Sequence, residues 1–487
     1  MEKSKVIRSL IYKFTERFAA KLIGFVIQII LARLLVPELF GQVVLLQTVI
    51  DFFVLVIENG VNTSLIQSPK VDERDYFTVF VITFALTGIT FLVLEAAAPL
   101  LAYFYSSPGL VAPMRFYALS LLFGAFNSIQ TARMQREMRF REIMFCNLGA
   151  TVLAGTLGVV MAWRGAGIWA LVGYSFAYIV FVCIFTFLVQ RWVPHGSFSR
   201  DSARRLGGYG LRMMAASAVE NLYISLRPLI IGKFFSAAQL GYYKQGQQFS
   251  HTISINMDAA IRQVMFPVLS RAHDEREKFI DIMRRMNKLG SFVIFPVMFG
   301  LSAVAEPLIL LLLKENWLPA APLLAILSIA EAQIPLTSAN TVALKSLGRS
   351  DLYAKQEVLR RVLMVAVLLI SIVAFDSLTA IAVGYAISAW LDVIVTSLPI
   401  KKLLGYGALD QFRDVWKNIV SAGLMGIAVR AFDLLPLPTP LLLFCLRNSL
   451  TRYLTPLPKG SRRSSDFVSV LRTAVRAHSK KSDSSLM

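Results

Sequence analysis

With 487 residues, 56% hydrophobic and only 16% charged, the chain holds more apolar surface than a water-soluble fold of its size can hide, which excludes a soluble globular protein. A formal net charge of +20 would suit a nucleic-acid binder, but the basic residues lie between long apolar stretches, which excludes that class as well. The three cysteines sit inside apolar stretches and the four histidines are scattered, so no disulfide framework, metal site, cofactor site or catalytic constellation is expected, and the chain is not expected to be an enzyme.

In chain order, a basic segment from Met1 to Lys21 runs into the first apolar stretch without a small-residue cleavage site, which predicts a retained first span. Spans are predicted at Phe18–Val36, Gly41–Ile57, Tyr76–Leu101, Phe116–Thr131, Met144–Trp163 and Ile168–Gln190. After a polar, basic stretch they resume at Gly208–Ile231, Leu240–Leu269, Leu289–Leu313, Pro319–Val342, Val362–Phe375, Leu378–Ile400 and Ile419–Leu435. A fourteenth, Thr439–Leu446, is short and interrupted by prolines. Period-2 alternation is absent, which excludes a transmembrane barrel. The expected fold class is an all-α polytopic membrane protein.

With the N-terminus cytoplasmic, alternate connections collect about forty of the 50 basic residues on the inside, and the outer connections keep Arg115, Arg164, Lys233 and Lys314. Orientation therefore accounts for the charge. The outer connections, such as Arg164 to Gly167, are too short for a folded domain.

An internal echo divides the spans. Leu31-Ala32-Arg33-Leu34-Leu35 with Phe40-Gly41 and Gln47 matches Ile231-Gly232-Lys233-Phe234-Phe235 with Leu240-Gly241 and Gln247, an offset of 200 residues (233 − 33). A fainter echo links Gln130-Thr131 and Arg139 with Asn340-Thr341 and Arg349. Six spans separate the copies, so both have the same orientation, as in transporters built from parallel repeats. The expected domains are an N-terminal six-helix lobe (1–195), a cytoplasmic linker (196–206), a C-terminal six-helix lobe (207–404), one or two accessory helices (405–447) and a basic, disordered tail (448–487).

The run Leu31 to Gly41 resembles the first-hairpin signature of Wzx-type polysaccharide flippases, in the superfamily of multidrug MATE exporters and lipid II flippases. So do Asn59-Gly60-Val61 with Ser64 to Gln67, Gly167 to Val172, Ile231-Gly232-Lys233 with Leu240 to Tyr243, and Gly348 to Asp351. The resemblance spans about Phe14 to Leu404. It implies translocation of an undecaprenyl-diphosphate-linked oligosaccharide from the inner to the outer leaflet of a bacterial plasma membrane, with a polysaccharide polymerase as partner. The sequence departs from the family where Arg227-Pro228 replaces a frequent acidic residue, and at its C-terminus.

Ionisable residues inside spans are costly and face a cavity or a partner. Here they gather in the first two spans of each expected lobe. Lys21, Arg227, Lys244 and Arg262 are the candidate headgroup contacts, because cations, and arginine's planar fork above all, grip diphosphate oxygens. Asp51, Glu220 and Asp258 are the candidate ion-coupling carboxylates. Against these roles stand structural ones. Lys21 and Arg212 sit near cytoplasmic ends and Arg33 near an outer end, where cations snorkel. Asp258 with Arg262, and Glu220 with Arg227, have spacings that allow plain ion pairs. Pro228 offers a hinge. A multidrug or organic-cation exporter and a lipid II exporter are the alternatives within the superfamily. A membrane glycosyltransferase or polymerase is disfavoured because the first outer loop, Pro37-Glu38-Leu39, holds no catalytic group beyond one Glu.

Overall fold

The computed structural model describes residues 22–68 and 71–433. Among these, every regular element is helical and no strand occurs. α1 (Leu22–Leu34) turns tightly into α2 (Pro37–Gln67), and α8 (Arg200–Phe234) into α9 (Ala237–Arg271). Between them lie α3 (Glu73–Phe104), α4 (Val111–Ala118), α5 (Ser120–Arg136), α6 (Phe140–Trp163) and α7 (Ile168–Gln190). α10 (Arg276–Ala303), α11 (Ala305–Leu313), α12 (Ala320–Glu331), α13 (Ile334–Ser346), α14 (Ser350–Phe375), α15 (Leu378–Leu404) and α16 (Ala408–Asp433) follow.

Nine helical segments among the described residues are long and apolar enough to cross a bilayer. α8 and α9, at 35 residues each, are longer still but more polar. Aliphatic side chains such as Ile89, Leu92 and Val93 on α3 and Ile370 and Val373 on α14 stand fully outward, Val373 at 87% exposure. That placement suits lipid and no other solvent. The chain is a multi-pass membrane protein.

Each of the thirteen firmly expected spans contains helix, but three of them are broken. The fourth is interrupted at Leu119, the ninth at Val304 and the tenth at Ala332-Gln333. Two breaks have a legible cause. Pro307 and Pro335 lack the N–H that would bond the carbonyls of Ala303 and Glu331, four residues earlier, and each proline ring crowds that carbonyl. Pro228, expected as a hinge, lies inside the unbroken α8. α14 starts at Ser350, so Arg360 and Arg361 belong to a helix and not to the cytoplasmic connection where the apolar window left them. Lys21, the fourteenth segment and the tail 448–487 lie outside the described residues, as does the side chain of Glu220.

The chain forms two compact units. The first runs to Gly246 and includes Pro307–Leu323 and Leu368–Ile381; the second holds Gln247–Glu306, Leu324–Val367 and the helices from Ala382 on. In the first, α6 packs on α7 at Gly158, where a Cβ would lie 2.8 Å from Tyr174 Cβ and 3.3 Å from the Ala170 carbonyl oxygen, so the backbones approach closely. At one end of this unit Arg205 grips the buried Asp75 at 2.7 Å, and Glu73 receives Arg133 at 3.0 Å and the Trp192 indole at 3.1 Å. In the second, α16 lies along α10, with Val415 and Ala422 buried against Ile294, Phe295 and Met298. Asp414 anchors that pair, accepting Lys288 at 3.0 Å and the Tyr406 hydroxyl at 2.9 Å. Burial pushes the Tyr406 hydroxyl above its ordinary range, so it remains a donor.

Candidate functional site

Within the first unit the two copies of the repeat meet each other. The first turns of α2 and α9 cross at Gly41 and Gly241. A Cβ on Gly41 would lie 1.7 Å from the Ala237 carbonyl oxygen, and one on Gly241 would lie 2.2 Å from that of Pro37. Both distances are far inside van der Waals contact, so only glycine fits at either position.

The basic residues of the echo serve the same closure. Arg33 donates through Nε to the Leu312 carbonyl at 2.6 Å and through Nη2 to that of Leu311. Lys233 donates to the Phe104 carbonyl at 2.7 Å and stands 4.0 Å over the Phe104 ring. Each cation thus occupies the C-terminal end of a helix, α11 or α3, where unsatisfied carbonyls and the helix dipole favour positive charge. Arg33 is therefore a helix cap and not a snorkelling residue. Between the hairpins sits Trp317, fully buried, its indole N–H on the Ala32 carbonyl at 2.8 Å and its ring edge-on to Phe40 and Tyr242 at 5.1 and 6.1 Å.

Farther along the same helices the first unit collects charge. Asp51 on α2 accepts a hydrogen bond from Tyr117, the penultimate residue of α4, at 3.4 Å. Lys244, about two turns into α9, acts electrostatically on Asp51 and is acted on by Arg227 of α8. Asp51 and Lys244 are exposed although they lie within long helices, and Arg227 is half-buried. Three of the expected site residues are thus brought together: Asp51, Arg227 and Lys244.

In the second unit Arg262 donates through Nε to both carboxylate oxygens of Asp258, at 2.8 and 2.9 Å, and the Ser338 hydroxyl also donates to Asp258. Arg262 therefore enters any ligand contact already holding a carboxylate. Two further buried clusters escaped the sequence reading. Arg360 on α14 grips Asp392 on α15 with both forks of its guanidinium and also holds Glu357 at 2.6 Å. Glu331, at the end of α12, accepts the Tyr385 hydroxyl at 3.0 Å and faces His251 Nδ1 at 3.7 Å. The signal for the last was present in the echo, since His251 stands 200 residues after Asp51.

No group of three or more His, Cys, Asp or Glu side chains with metal-binding geometry occurs among the described residues. The charged groups of these clusters lie on α2, α8 and α9 in the first unit and on α9, α12, α14 and α15 in the second.

A family model described as "Polysaccharide biosynthesis protein" matches residues 30–322, more than half of the 487-residue chain. The chain belongs to this family. It is 24% identical to the succinoglycan biosynthesis transport protein ExoT of Rhizobium meliloti (strain 1021), over 66% of this chain and 65% of that relative's length. The teichuronic acid biosynthesis protein TuaB of Bacillus subtilis (strain 168) is 23% identical over 77% of this chain and 78% of its own. The lipopolysaccharide biosynthesis protein WzxC of Escherichia coli (strain K12) is 21% identical over 81% and 80%. Among solved structures, the lipid II flippase MurJ in an inward closed conformation overlays with a TM-score of 0.75 at 11% identity, covering 91% of this chain and 97% of that one. A multidrug resistance MATE family transporter of the MOP superfamily gives 0.62 at 16% identity, covering 79% and 94%. These overlays establish a shared fold. The kinship expected from the hairpin motifs holds for this polysaccharide biosynthesis protein at the level of family and fold.

Proposed function

We propose that this family member carries a lipid-linked oligosaccharide diphosphate across the bacterial plasma membrane by alternating access. The observation that carries the reading is the duplicated hairpin closure, with Asp51, Lys244 and Arg227 gathered along the helices that leave it. With the N-terminus cytoplasmic, the Gly41–Gly241 crossing lies on the outer side. Lys21, Arg227, Lys244 and Arg262 take the diphosphate, whose charge needs cations in a low-dielectric setting. Asp51, Asp258 and Glu220 are the carboxylates available for ion coupling, Asp258 being the one already paired with Arg262. The lobes 1–195 and 207–404 remain the proposed moving bodies, and a polysaccharide polymerase on the outer face remains the proposed recipient of the cargo. ExoT, TuaB and WzxC are named for polysaccharide biosynthesis, which supports a glycan cargo over the organic cations of an exporter.

The test is the combined substitution of Lys21, Arg227, Lys244 and Arg262 by Gln in proteoliposomes holding a fluorescent lipid-linked oligosaccharide diphosphate. Translocation is expected to vanish while membrane insertion and thermal stability persist. Unchanged flipping rates would overturn the cationic assignment.

A further inference from the structure

The echo at 200 residues pairs Asp51 with His251, and the structure gives both the same kind of neighbour. Asp51 faces Tyr117, two residues before the break at Leu119 in the fourth span. His251 faces Glu331, immediately before the break at Ala332-Gln333 in the tenth. Each half therefore sets a titratable side chain of its second span against an interrupted helix, the arrangement in which transporters place ion sites. Their chemistry differs. The carboxylate of the first half has Lys244 within electrostatic reach. For Glu331, no Lys or Arg nitrogen lies within 4.0 Å among the described residues, and its ionic neighbour is an imidazole.

The surroundings of the second pair are those of a binding site. The Glu331 side chain is 5% exposed while that of His251 is 53% exposed, so the imidazole links the surface of the unit to a buried carboxylate. Tyr385 on α15 donates to the carboxylate, and Ser254, one turn after His251 on α9, bears on it too. The break frees backbone groups. Trp390 on α15 donates to the Ile329 carbonyl at 3.1 Å, and the buried Gln333 side-chain oxygen has no hydrogen-bond partner among the described residues. Pro335 makes the break a property of the sequence.

We infer that His251 and Glu331 form a proton-binding site at the break of the tenth span, through which protonation is coupled to movement of the cargo proposed above. A proton from solvent adds to the imidazole, and the imidazolium closes on the Glu331 carboxylate as a neutral pair. Its release returns a neutral imidazole and a lone buried anion held by Tyr385 and Ser254. One unit of charge thus appears or disappears within the helix bundle, where bilayer-embedded charge biases conformation. The coupling rests on the flippase reading; the proton site does not.

Two measurements on the full-length protein in proteoliposomes test this. The first is a ring-labelled histidine NMR titration, with His251 assigned by subtracting the His251→Gln spectrum. Glu331→Gln is expected to displace the His251 midpoint by about one pH unit, and an identical midpoint overturns the site. The second is flipping of the fluorescent lipid-linked oligosaccharide diphosphate at about pH 6 and about pH 8. The wild-type rates are expected to differ by roughly threefold or more, and His251→Gln to bring the ratio near one. A wild-type ratio that survives in His251→Gln overturns the coupling. If wild-type protein flips no probe at either pH, the cargo reading fails and the titration alone decides the proton site.

Discussion

The two halves of this chain have kept one region alike and let another drift. At the hairpins, Gly41 and Gly241 cross backbone to backbone, and Arg33 and Lys233 each cap a helix end. Deeper in the helices, the equivalent positions hold Asp51 in one half and His251 in the other, and a carboxylate facing an imidazole occurs in the second alone of these two pairs. The difference teaches where duplication constrains chemistry. A backbone crossing leaves no room for any Cβ, so neither copy can change without opening the contact. An interior polar site needs only a satisfied pair, and many pairs meet that need.

The sharpest way to break the comparison is steric. Gly41→Leu or Gly241→Leu must separate α2 from α9, since overpacking of this kind costs about 1–3 kcal/mol or more and no rotamer escapes a backbone oxygen. Each is expected to reduce translocation below detection and to expose a cysteine placed at Phe40 to a water-soluble thiol reagent. Equal activity of Gly41→Leu and wild type would mean that the crossing is not part of the working cycle.

A second test asks whether the buried pairs of the second unit are stability elements or functional ones. Asp392 is buried and Arg360 half-buried, so removing the arginine strands a charge. Arg360→Gln or Asp392→Asn is expected to destabilise by about 3–5 kcal/mol, with much of the loss recovered in the double variant. Thermal unfolding in detergent reads this. Additive losses would show that the two groups do not depend on each other.

The smallest effect belongs to the caps. Arg33→Ala and Lys233→Ala each lose a cation at a helix C-terminus, worth about 0.3–1 kcal/mol at an exposed site. The same cysteine accessibility assay is expected to show a several-fold rise for either variant. If the two variants differ strongly, the hairpins share a backbone geometry but not an energetic role.

How much of this was legible in advance follows from the kind of pattern each feature leaves. Long apolar runs mark α1 to α7 and α10 to α15, because the bilayer demands length and apolarity whatever the neighbours. The glycines and cations of the hairpins showed as an echo, since a constraint imposed twice writes the same residue twice. Arg360 was misplaced because an apolar window stops at the last charge, whereas a helix continues through a charge that has found Asp392. Glu331 and His251 were overlooked for a related reason. They lie 80 positions apart (331 − 251), and nothing local marks either as facing the other.

The sequence by itself determined that this is a multi-helix membrane protein, and its echo and charge pattern set the expectation of a duplicated core with charge concentrated on one side. Hydrophobicity, charge and repetition are additive along a chain and can be read without knowing any contact. Only the tertiary structure decided which polar groups meet. Arg33 could snorkel or cap, Arg262 could bind a ligand or hold Asp258, and a lone histidine could be incidental or face a buried carboxylate. Each choice depends on a partner from a distant helix, and burial makes that partner matter because an unmatched charge in the bundle has no water to fall back on.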